Sequence, residues 1–157
     1  SGREFLRFIG DVYRLPERAV EAQIGALADE YELHGFLDDL TESYSHGMKQ
    51  RTVLAAALLH DPRVLIVDEP LVGLDPKSAR KLKNAFRRLA GERGTAVFMS
   101  THTLSVAEEL ADRIGILHRG RLIAVGTIAD IRRLHAEKSG TASNGDLETL
   151  FLELTAE

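Results

Sequence analysis

Two adjacent carboxylates, Asp68 and Glu69, follow the apolar residues Val64-Leu65-Ile66-Val67 and precede Pro70. A continuous apolar run of this kind predicts a strand buried on both faces of a parallel sheet. In an open α/β sheet, ligands gather beyond the carboxyl ends of the strands. Successive strand residues point to opposite sides, so the two carboxylates are placed for different work. One suits Mg²⁺, which favours a carboxylate together with phosphate and water oxygens. The other suits a base that orients or deprotonates an attacking water. A strand running into an acidic surface turn would read the same way, so the pair alone does not decide the chemistry.

Three further groups share the same order along the chain. Tyr44-Ser45-His46-Gly47-Met48-Lys49-Gln50-Arg51 joins a hydroxyl and a small residue to the predicted start of a helix. The free N–H groups of a helix start suit an anion, although a serine there commonly does no more than cap. Gly73-Leu74-Asp75 is a tight turn with a carboxylate just beyond the acidic pair. His102 closes the run 95–102, again at a predicted strand's carboxyl end, where a polar group would reach the crevice of Asp68 and Glu69. Taken singly, an ordinary surface histidine explains it as well. No G-x-x-x-x-G-K-[ST] occurs, so a loop to cradle a nucleotide's α- and β-phosphates is missing. The six histidines are scattered without H-E-x-x-H, and no G-x-S-x-G is present, which removes the usual zinc and nucleophile-elbow readings.

The elements that must position these groups follow from periodicity. Phe5, Phe8, Ile9 and Val12 form one helical stripe, and Val20, Ile24, Leu27, Ala28 and Tyr31 form a second. Leu15-Pro16 separates them, and Gly35 is expected to end the second. Phe36, Leu37 and Leu40 suggest a short third helical piece. After Ser45 a helix runs toward His60-Asp61-Pro62. Asp75-Pro76 pairs an N-cap with a first-turn proline, and the helix that follows presents Ala79, Leu82, Phe86 and Leu89. Residues 95–100 predict a second buried strand, and residues 104–111 a helix. This alternation argues for a parallel α/β sheet. Residues 113–118 and 121–125 flank Arg119-Gly120 as a hairpin at the sheet edge. Thr127 to Asp130 matches a capping box. Residues 139–146 are the best linker, before a last amphipathic helix carrying Leu147, Leu150, Phe151 and Leu154.

The 157 residues suffice for one domain with a real core. With 44% apolar residues the chain is neither disordered nor membrane-embedded. No apolar stretch approaches the ~20 residues of a membrane span. The absence of cysteine excludes disulfides and thiolate metal sites. A net charge of −4 supplies no bulk attraction for nucleic acid. Ser1-Gly2-Arg3-Glu4 lacks the features of a signal peptide and runs directly into a helical pattern, so the chain reads as a piece of a longer protein.

These motifs, in this order, resemble the C-terminal part of the nucleotide-binding subunit of ATP-binding cassette (ABC) transporters. Residues 44–48 resemble the signature L-S-G-G-Q, residues 64–69 the Walker B strand with its glutamate, residues 73–75 the D-loop, and His102 the switch histidine. The resemblance implies an α/β fold: a partial P-loop NTPase (RecA-like) parallel sheet with an N-terminal all-helical subdomain, lacking the P-loop and the N-terminal strands. It divides the chain into a signature-bearing helical subdomain (1–61), a partial nucleotide-binding core (62–138), and a linker with C-terminal helix (139–157). It implies ATP and Mg²⁺ as cofactors of the intact parent. Glu69 and His102 would be catalytic, Asp68 would hold the metal, and Ser45, His46, Gly47, Met48, Gln50 and Asp75 would face the nucleotide. The implied partners are transmembrane permease subunits and a second nucleotide-binding subunit, paired head to tail at the cytoplasmic face of the membrane. Residues 150–155 look like the end of the exporter-type ATPases.

Two departures stand out: His46 where the family usually has Gly, and Met48 where it has Gln. Lacking the P-loop, the base-stacking aromatic and the Q-loop, the 157 residues alone are expected to be inactive. A non-catalytic docking module is the alternative from another class. A DNA-repair or chromosome-maintenance ATPase would show long heptad coiled coils, which are absent here.

Overall fold

The computed structural model describes residues 1–139 and 146–155. The chain packs as two compact units, Ser1–Ser100 and Thr101–Glu157.

The first unit opens with helix α1 (Gly2–Val12), started by a capping box in which the Glu4 N–H donates to Ser1 Oγ at 3.3 Å. Helix α2 (Glu17–Glu30) begins just after Pro16 and buries Val20, Ile24, Leu27 and Ala28. The two helices approach closely because position 10 is glycine: a Cβ there would meet Val20 Cγ2 at 2.5 Å. Leu6, Ile24, Leu27, Leu33 and Leu37 are fully buried in this helical lobe.

Two local expectations fail here. Helix α2 ends at Glu30 with Tyr31 as its cap, not at Gly35, because Glu32 turns the chain with φ of 53°. No third helix forms over Phe36, Leu37 and Leu40. That stretch is a series of turns followed by a 3₁₀ turn, Thr41–Ser43. Phe36 and Leu37 are buried through tertiary contact while their carbonyls are satisfied by side and main chain from elsewhere, so helical periodicity was a coincidence of packing.

Helix α3 (His46–Leu58) follows. Strand β1 (Val64–Asp68) pairs in parallel with β2 (Ala96–Ser100), in register from Val64 opposite Ala96 to Asp68 opposite Ser100. Between them lies helix α4 (Pro76–Arg93), capped by Asp75 and closed by Gly94 in the left-handed conformation. This is the predicted strand–helix–strand unit. Burial on both faces is not found. Leu65 is buried, but Ile66 is 73% exposed and Phe98 opposite it 67% exposed. Among the described residues nothing covers that side of the sheet.

The second unit holds helix α5 (Leu104–Leu110), the antiparallel hairpin β3 (Ile114–His118) and β4 (Arg121–Gly126), helix α6 (Ile128–Ser139) and helix α7 (Leu147–Thr155). Arg119 and Gly120 both have positive φ, as a two-residue hairpin turn requires. The hairpin forms its own two-stranded sheet instead of the expected edge of the parallel one. Thr127 caps α6, its Oγ1 accepting from the Asp130 N–H at 3.1 Å. Ile114, Ile116, Ala124, Ile131, Leu147 and Leu150 make the core of this unit. The linker expected over 139–146 lies, for 140–145, outside the described residues.

Candidate functional site

The start of α3 is built by a pair of neighbours that face opposite ways. Tyr44 is buried. Its hydroxyl accepts from the Gly2 N–H at 3.2 Å and donates to the Phe36 carbonyl at 2.8 Å, and burial pushes the phenol above its ordinary value. Ser45, next to it, is exposed and caps α3 in an extended conformation, its Oγ accepting from the Met48 N–H at 3.3 Å. The Ser45 N–H in turn points at Met48 Sδ, 3.4 Å away. Thioether thus stands where a capping box usually has a carboxylate or amide. An exposed hydroxyl at the N-terminus of a 13-residue helix, with the partial positive charge of its N–H groups, can hold an anion.

Arg51, one turn further on, fastens this helix to the lobe. Its guanidinium donates to the Tyr31 and Glu32 carbonyls at 3.1 and 3.0 Å and to the Gly47 carbonyl at 3.3 Å, and it lies 4.9 Å from the Phe36 ring centroid. The Tyr31 and Glu32 carbonyls lie at and just past the end of α2, where helix geometry supplies no donor of its own. Arg51 sits inside the motif read from the sequence yet received no role there. A basic residue near helix carbonyls distant in sequence leaves no local signal.

The turn after β1 packs against the same helix start. Gly73 has φ of +74°. His46 Nε2 lies 3.0 Å from the Val72 carbonyl, and the Gln50 side-chain amide lies 3.4 Å from the same nitrogen. Asp75 is committed to its own helix: it accepts from the Lys77 and Ser78 N–H groups at 2.9 and 3.1 Å and from Ser78 Oγ at 2.5 Å. The Ser78 hydroxyl, with those N–H groups, holds its carboxyl below the ordinary 3.8. Gly47, Gln50, Leu74 and Asp75 border a cleft of about 350 Å³ that continues to Lys81 and Arg88 of α4 and to Tyr31. Burial raises the Tyr31 phenol to about 12. The structure therefore gathers Ser45, His46, Gly47, Met48, Gln50 and Asp75 into one neighbourhood of the first unit.

Asp68 is the last residue of β1 and is exposed. It accepts from Ser100 Oγ, its register partner on β2. Glu69 leaves the strand with φ of 45°; its N–H donates to the Ser100 carbonyl at 3.1 Å and its carbonyl accepts from the Val72 N–H at 3.2 Å. A non-glycine residue in that region costs about 1–2 kcal/mol, and this one re-aims the chain at the strand end. A carboxylate beside a hydroxyl supplies hard oxygen donors of the kind Mg²⁺ takes, with phosphate and water completing the shell. Among the described residues no cluster of three or more His, Cys, Asp or Glu side chains that could hold a metal exists. His102 lies two residues beyond β2 along the chain, is exposed, and belongs to the second unit.

Residues 4–72 match the ABC transporter family. A fluoroquinolone-export ATP-binding protein of Mycobacterium tuberculosis is 36% identical over 95% of this chain and 49% of its own length. Among solved structures, an ATP-binding subunit of an ABC transporter superimposes with a TM-score of 0.82 at 35% identity, over 98% of this chain and 62% of that one. A dimeric ATP-binding cassette in a post-hydrolysis state, bound to ADP and phosphate, gives a TM-score of 0.65 at 25% identity, over 73% of this chain and 49% of that one. The chain spans 25–49% of the length of curated relatives it matches.

Proposed function

The chain belongs to the ABC transporter ATP-binding family, and from that premise we propose that its parent protein hydrolyses ATP to power export across a membrane. Several of its relatives are named for the export of, or resistance to, small molecules. The observation that carries the reading is the exposed Ser45 cap at the head of α3, whose next residue, His46, lies against the Val72–Gly73 turn.

Under this proposal Ser45 and Gly47, with His46, Met48 and Gln50 around them, face the terminal phosphate of ATP held by a second nucleotide-binding subunit. Asp68 helps hold Mg²⁺, Glu69 orients the attacking water, His102 contacts the γ-phosphate, and Asp75 stands at the subunit boundary. Functionally the chain then divides at 1–61, 62–138 and 139–157, across its two packing units. Neither subunit alone has all the phosphate donors, so ATP stabilises the closed pair and hydrolysis releases it. Transmembrane permease subunits would take up that motion. No helix among the described residues is long and apolar enough to cross a membrane, in keeping with a peripheral place at the cytoplasmic face.

In the full-length subunit, Glu69→Gln should lower ATP turnover by about 10²–10⁴-fold; near-normal turnover would reject the role given to Glu69. The 157 residues alone lack donors for the α- and β-phosphates. They should show no measurable ATPase activity, and steady hydrolysis abolished by Glu69→Gln would reject that expectation. The second reading is a non-catalytic docking module in which the acidic pair is purely structural. ATP-dependent turnover by the full-length gene product separates the two.

A further inference from the structure

His46 stands where the third signature position usually has glycine, and although the residue is exposed its ring is turned onto the protein. It reaches across to the turn that follows Glu69. Its Nε2 is 3.0 Å from the Val72 carbonyl oxygen. A carbonyl only accepts, so that contact makes Nε2 the protonated ring nitrogen. Having donated there, the same nitrogen cannot also accept from Gln50, whose amide is 3.4 Å away. The ring also lies over Gly73. A Cβ at that position would sit 3.1 Å from His46 Cδ2 and 3.2 Å from Nε2. Gly73 already holds φ of +74°, so two separate features, the backbone and the ring above it, ask for glycine.

We propose that His46 is a positioning residue. It ties the Val72–Gly73 turn to the head of α3, so that Ser45 and Asp75 move as one body. The inference rests on the proposed function for its meaning, because the two segments it joins are the ones assigned to face the second subunit. A glycine at position 46 would remove the ring that meets the Val72 carbonyl and covers Gly73. The histidine spends its ring on an intramolecular brace.

The test is made on the 157-residue chain without nucleotide. Hydrogen exchange of the Val72 and Leu74 amides, which donate to the Glu69 and Leu71 carbonyls, reports the order of the turn. Loss of one hydrogen bond corresponds to about a fivefold change in exchange. His46→Gly should speed exchange at these two amides by about that factor, with α1 and α2 unchanged as the control for folding. His46→Gln, which carries an N–H donor at the position of Nε2, should restore protection. Nitrogen-15 spectra of the unaltered chain should show His46 protonated on Nε2. Unchanged exchange in His46→Gly, equal loss in both variants, or a proton on Nδ1 with none on Nε2 would each overturn the brace. Failure of the full-length subunit to use ATP would instead remove the proposed function and leave the brace standing.

Discussion

Within the first unit, the helical lobe and the parallel strands are finished to very different degrees. Leu6, Ile24, Leu27, Leu33 and Leu37 are sealed between α1, α2 and the turns that follow, and Tyr44 and Arg51 satisfy backbone groups in the same lobe. In the sheet, Leu65 alone is buried along β1, while Ile66 and Phe98 lie side by side and open. The lobe that presents Ser45 is thus held by its own packing. The strands that present Asp68 are held chiefly by α4 and by each other. A two-stranded sheet is marginal in water, and an open apolar face of this kind seeks cover. The candidate site is therefore tied to well-packed structure on the α3 side, where Arg51 bonds the carbonyls of the lobe and His46 meets the Val72 carbonyl, while the strand that carries the acidic pair has an open face.

Substitutions can sharpen or break this contrast. Leu37→Ala removes a fully buried side chain and should destabilise the first unit by about 2–5 kcal/mol in denaturant melts. Ile66→Thr on the open face should change stability by no more than about 0.5 kcal/mol. Equal losses at the two positions would erase the distinction. The open face and free strand edges should also make the chain self-associate. Sedimentation should show concentration-dependent growth that Ile66→Thr reduces. A clean monomer at high concentration would contradict it.

The smallest effect concerns acid. Asp75 has a folded pKa depressed below 3.8 by the Ser78 hydroxyl and the α4 N–H groups. A depressed folded value means that the unfolded chain binds the proton first. The cap therefore stabilises fully above about pH 3.8 and is lost as pH falls through the lower folded value. Asp75→Ala should lower the melting temperature at pH 7 and make little difference near pH 2. A constant difference across that range would show that the carboxylate is not the stabilising group.

The elements with strong local punctuation were legible in the sequence. Ser45 and Asp75 announced the starts of α3 and α4, Arg119-Gly120 the hairpin, and Thr127 the start of α6, because in each the deciding interaction lies within a few residues. The family and its parallel strand–helix–strand unit followed from motifs in order. What was missed is non-local. Glu32 stops α2 by adopting a backbone conformation that its side chain does not advertise. Phe36 and Leu37 mimic a helical stripe although tertiary contacts bury them. The uncovered face of β1 could not be inferred from its composition, which is the composition of a covered strand. Arg51, Ser100 and the His46–Val72 contact each join positions that only the fold brings together.

The central claim is that Ser45 is offered to the nucleotide of a second subunit while Glu69 completes hydrolysis. Sedimentation of the full-length Glu69→Gln subunit with ATP tests it most directly, since blocked hydrolysis should trap the closed pair. The account predicts a dimer that forms with ATP and is abolished when Ser45→Arg is added. A species that remains monomeric with ATP, or a dimer indifferent to Ser45→Arg, would contradict it.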